Sequence, residues 1–142
     1  GDMAFAMEYS DGKLYIAGLY EEWNNVMTVD PEDGKILWNA LWYDNEEEVP
    51  RAISVGEKAI YVSGLSYMFP NQENDQDIFI AAVDFQGEVL WHHFIGTDED
   101  DWSYGLDAAD GKLFVVGITQ GVIEGDGSAI SNEDGAILFT EE

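Results

Sequence analysis

Cysteine is absent from the 142-residue chain, which excludes disulfides and thiolate chemistry and leaves the redox compartment open. Basic residues are scarce: five Lys and Arg stand against thirty Asp and Glu, for a net charge of -25. That field repels nucleic acid and anionic membranes and attracts cations and basic partners. No apolar run approaches the ~20 residues of a membrane-spanning helix, so membrane insertion is not expected. The opening stretch GDMAFAMEYS has neither the basic head nor the apolar body of a signal peptide. Gly-x-Ser-x-Gly elbows, phosphate loops with a lysine and Asn-x-Ser/Thr sites are also missing. What remains is 46% hydrophobic, enough for one folded domain, or part of one, rather than an acidic tail.

The chain repeats itself, and a repeat period decides fold class before anything else. DGKLYIAG at 11–18, EKAIYVSG at 57–64 and DGKLFVVG at 110–117 align, their closing glycines 46 and 53 positions apart. NVMTVDPEDGKILW at 25–38 and IFIAAVDFQGEVLW at 78–91 follow the first two, each with a Gly four residues before a Trp. The third unit ends in AILFTEE. Inside each unit apolar residues alternate with a period of two, in short runs rich in Val, Ile and aromatics. Asp-Gly and Gln-Gly pairs punctuate these runs as hairpin turns. The pattern predicts four strands per unit, with the last strand of the third unit missing. Two insertions, Met68 to Gln76 and Gln120 to Glu133, fall between second and third strands.

Residues 77–121 resemble the bacterial and archaeal β-propeller repeats of secreted and surface proteins. Asp77, Asp84, Gly87, Leu90, Trp91, Gly96, Asp101, Tyr104, Gly111 and Gly117 carry the likeness. The first unit follows the pattern more loosely, without the acidic turn ahead of its first strand. Val29, Asp30, Gly34 and Trp38 are similar to the quinone-type propeller repeat, although its usual Thr before Gly is Asp33 here and Gln86 in the next unit. The resemblance implies an all-β propeller segment of about three blades, at 1–45, 46–97 and 98–142, from an extracellular or cell-surface protein.

Closed propellers carry about 4–8 blades, because fewer wedge-shaped sheets cannot complete the circle. A three-blade arc leaves apolar flanks in water, and covering each is worth several kcal/mol at roughly 25 cal/mol per Å². The expectation is therefore a homodimer closing one six-bladed ring, or a fragment of a longer propeller. Repulsion between two such acidic chains falls as salt rises, so the acidity suits either a high-salt setting or bound divalent cations.

Asp98, Glu99, Asp100 and Asp101 form the densest carboxylate cluster, read here as a solvated turn with a structural Ca²⁺ as the rarer alternative. No other cofactor is expected. Glu46, Glu47 and Glu48 occupy the equivalent solvated turn one unit earlier. His92 and His93 are adjacent on a strand and so point to opposite faces, one packed and one exposed, unable to chelate one ion. Trp38 and Trp91 share a repeat position, as packing between blades would require. Trp23 and Trp102 beside acidic loops, with Tyr67 and Phe69 in an insertion, are the candidate binding residues, since aromatics beside carboxylates stack on sugars or anchor proteins. The sequence thus points to a non-enzymatic binding module that takes a carbohydrate or protein through inserted loops 66–77 and 120–134. A glycan hydrolase with paired carboxylates and a quinone-dependent oxidoreductase are the enzymatic alternatives.

Overall fold

The computed structural model describes residues 1–43, 47–67, 76–97, 99–121 and, by their backbone, 136–141. Among them every regular element is a strand, as the period of two predicts. The first antiparallel sheet holds β1 (Met3–Ser10), β2 (Lys13–Tyr20), β3 (Trp23–Val29) and β4 (Ile36–Trp42) in chain order. The second repeats that order with β5 (Glu47–Val55), β6 (Ile60–Tyr67), β7 (Gln76–Val83) and β8 (Val89–Ile95). The third has three strands, β9 (Asp101–Ala109), β10 (Lys112–Thr119) and β11 (Ala136–Glu141).

Local chemistry fixes the hairpins. The β1–β2 and β9–β10 connections are two residues long, and both residues have positive φ: 46 and 76 at Asp11 and Gly12, 53 and 70 at Asp110 and Gly111. That is the primed turn whose twist matches the strands it joins. After β7, the Asp84 carboxylate accepts from the backbone N–H of Gln86 at 2.8 Å and Glu88 at 2.9 Å, closing the turn into β8.

The recurring glycine has a steric cause. A Cβ at Gly18, Gly64 or Gly117 would stand 2.0, 2.1 or 1.9 Å from the carbonyl oxygen of Met3, Val49 or Trp102. At each place the first strand bulges against the second, between Ala4 and Ala6, Pro50 and Ala52, and opposite Val116 and Gly117. Only a residue without a side chain lets the bulged strand come so close.

The sheets stack in chain order with the second in the middle. β1 and β2 lie on β5, and β5, β6 and β7 lie on β9, whereas the outer strands β4 and β8 touch only slightly. Tyr15, Ala17, Val26 and Ala40 of the first sheet pack on Ile60, Val62, Phe79 and Ala81 of the second. Tyr61, Ile78, Ile80 and Ala82, from the other face of that sheet, pack on Leu113 and Val115 of the third. Trp38 and Trp91 join these two cores as expected, beside Tyr15 and Tyr61 at ring distances of 6.5 and 6.0 Å.

One expectation is overturned. Glu47, Glu48 and Asp101 are not turn residues, because β5 and β9 begin at Glu47 and Asp101, upstream of the apolar runs. Glu48 and Asp101 are buried rather than solvated. Their charge is met by specific donors, which is what allows a carboxylate to leave water.

Candidate functional site

Antiparallel order sends the β2–β3, β4–β5, β6–β7, β8–β9 and β10–β11 connections to one end of the sheets. That end holds the candidate aromatics. Trp23 opens β3, Tyr67 closes β6 and Trp102 is the second residue of β9. Phe69, and most of both inserted loops, lie outside the described residues.

Trp23 and Trp102 belong to separate clusters. Trp23 is exposed, with its ring 5.7 Å from that of Tyr43, just past β4. Its hairpin is a two-residue turn in which Glu21 takes a positive φ of 57, a conformation unusual for a residue with a side chain. Glu21 and Glu22 are shared by two hollows. One, of about 220 Å³, is lined also by Leu19, Tyr43, Glu47, Glu48 and Val49, and the other, of about 360 Å³, by Gly1 and Trp23. Carboxylates and an aromatic side chain therefore line each of two adjoining hollows, a setting that accepts hydrogen-bond donors and flat apolar rings.

The second cluster lies on the middle and third sheets. Tyr67 pairs across the ladder with Gln76, and the Trp102 indole N–H donates to the Gln76 side-chain oxygen. The Gln76 backbone N–H donates to Asp100 Oδ1 at 3.1 Å, and that of Gln120 to the Asp100 carbonyl at 3.1 Å. Tyr67 and Trp102 are thus brought together through one glutamine, with the roots of both inserted loops tied to the same turn.

The acidic turn is used internally. Asp101 Oδ2 accepts from the Thr97 N–H at 2.6 Å and from its hydroxyl at 3.0 Å. Asp98 lies outside the described residues, and among those described no group of three His, Cys, Asp or Glu is placed to hold a metal.

Glu48, which lines the Tyr43 hollow, is the centre of a polar joint that the sequence does not reveal. Asn24 of the first sheet donates to Glu48 Oε2, and His92 Nε2 stands 2.6 Å from Glu48 Oε1. His92 is wedged between Phe94 at 4.6 Å and Phe79 at 5.9 Å. His93, on the opposite face, is exposed and stacks on Trp91 at 5.1 Å. One histidine packed and one exposed is the expected arrangement. A signal for Glu48 was present: Asp2, Glu48 and Asp101 are 46 and 53 positions apart, the spacing of the glycines. Each acid stands just before the carbonyl that the glycine accommodates, and Asp2 in turn accepts from the Glu21 N–H at 3.3 Å.

No family model matches the chain, and no curated protein resembles it at a significant level.

Proposed function

We propose that this chain is a binding module built of β-propeller repeats, which recognises a carbohydrate or a protein through the end that carries Trp23, Tyr67 and Trp102. The observation that supports it is topological: three aromatics far apart in sequence share one end of three sheets, with the acidic recess and both inserted loops. The opposite end offers tight hairpins such as Asp11–Gly12 and Asp110–Gly111. The ring is completed by a second copy, and the setting is extracellular or cell-surface. The stacking supports the ring, since first strands adjoin while β4 and β8 barely touch, as blades do when they fan from an axis.

Glycan and protein arrays test the reading. Binding that falls at least about tenfold in Trp23→Ala or Trp102→Ala supports it, as expected when an aromatic anchor is removed. Turnover of chromogenic glycosides, or bound quinone in an absorbance scan, would reject it in favour of an enzyme.

A further inference from the structure

One interface is built twice inside this chain, and among the described residues each of its two halves recurs once on an outward face. The strand registers make the three sheets equivalent position by position. In the second sheet, Ile53 pairs with Val62 and Val55 with Ile60, and all four pack toward the first sheet. In the third, Leu106 pairs with Val115 and Ala108 with Leu113, and all four pack toward the second. The corresponding residues of the first sheet are Met7 with Ile16 and Tyr9 with Leu14. They are equally apolar, yet they face away from the second sheet, with Met7 63% and Tyr9 64% exposed.

The other half recurs in the same way. Tyr15 and Ala17 of the first sheet and Tyr61 and Ser63 of the second are buried against the sheet that follows. Their equivalents in the third sheet are Phe114 and Val116, exposed at 39% and 51%, with Tyr104 of the adjoining bulge at 61%.

A hydrogen bond repeats with the packing. Glu8 Oε2 accepts from the Val55 N–H at 2.9 Å across the first seam, and Ser54 Oγ accepts from the Ala108 N–H at 3.0 Å across the second. Glu8 and Ser54 occupy one repeat position, Val55 and Ala108 another. The third sheet carries an acceptor, Asp107, at the position of Glu8 and Ser54, and the first sheet carries Tyr9 at the position of Val55 and Ala108.

Resting on the propeller reading above, we infer that the outward face of the first sheet takes the outward face of the third sheet of a second copy, head to tail. Met7, Tyr9, Leu14 and Ile16 receive Phe114 and Val116, and the Asp107 carboxylate accepts from the Tyr9 N–H of that copy. The occupant is a second copy because the face it must present, an aromatic, a short uncharged side chain and an acceptor at fixed register, is the one that each sheet of this chain displays: Tyr15, Ala17 and Glu8, then Tyr61, Ser63 and Ser54, then Phe114, Val116 and Asp107. The contact is heterologous, and two copies close it into a ring of about six sheets.

Sedimentation of the full chain and of Met7→Glu and Val116→Glu, in 0.15 M and 1 M NaCl, tests this. Both substitutions fall on exposed sites, and far-UV circular dichroism verifies that each variant folds. Wild type is expected at twice 15.8 kDa. Each variant should weaken the dimer by at least about a hundredfold, because a carboxylate would be buried without a partner. Asp107→Ala, which leaves the packing in place, should weaken it by about tenfold. An equimolar mixture of the two glutamate variants should recover a heterodimer, since one of its two seams is unaltered. A monomeric wild type would overturn both the inference and the ring. A dimer that survives both glutamate variants, or a mixture that shows no recovery, would overturn the head-to-tail seam and the two-copy ring with it, and leave the binding reading standing.

Discussion

β6 and β7 are buried along almost their whole length, whereas β10 alternates between buried and exposed residues and β1 holds only half-buried and exposed ones. The difference does not come from composition. LFVVGI in β10 is as apolar as IYVSGL in β6, and an uninterrupted apolar run is the mark of a strand covered on both faces. What differs is position in the stack: the middle sheet has a neighbour on each side, and each flanking sheet has one. Stability is therefore concentrated in the middle, where two cores meet back to back through one layer of strands.

Substitutions that probe this contrast should scale with the number of neighbours. Phe79→Ala empties a wholly buried site between the first and second sheets and should cost about 3–5 kcal/mol in a denaturant titration. Tyr9→Ala, an aromatic on the outward face, should cost under about 1 kcal/mol in dilute solution. Equal losses would show that the flanking face is as well packed as the middle.

The first-strand acids give the next comparison. Glu48→Ala removes the partner of both His92 and Asn24 and should cost about 3 kcal/mol, the range for breaking a buried charged contact. Asp2→Ala, at the same repeat position but exposed, should leave the unfolding midpoint nearly unchanged.

Titration should separate the seam from the turns by smaller amounts. Burial, with the Asp11 carboxylate as a second cause, raises the Tyr15 phenol above its ordinary value. A raised acid favours its protonated form in the folded chain. This contribution is therefore complete below about pH 10, where unfolded tyrosine ionises, and is lost as pH climbs through the higher folded value. Tyr15→Phe should flatten that alkaline limb in circular dichroism.

The smallest effect is expected at Asp84. The Glu88 N–H, followed by those of Gln86 and Gly87, holds its carboxyl below the usual carboxylate range. The turn is then supported above about pH 4 and loses that support as pH falls through the lower folded value. Asp84→Ala should remove this acid dependence and leave the alkaline limb intact.

The strand count, hairpin turns and sheet order could be read from sequence, because Asp-Gly turns and the period of two are local properties. Gly18, Gly64 and Gly117 were visible as a repeat, although the backbone approach that requires them was not. Glu48 and Asp101 were misread because a carboxylate ahead of an apolar run looks like a surface turn. Its donors, Asn24 and Thr97, reach it from another sheet or from the preceding turn. Trp23 and Trp102 fell into separate clusters for a similar reason: which strand ends adjoin depends on the stacking of sheets, and no spacing along the chain encodes that.

The connections at the aromatic end span two residues between β2 and β3, eight between β6 and β7, and sixteen between β10 and β11. Closing a longer loop adds only about 0.6 kcal/mol for each doubling of its length. Segments grafted there would start and end outside the two stacked cores, so the connections could be exchanged like a tool head while the handle stays the same.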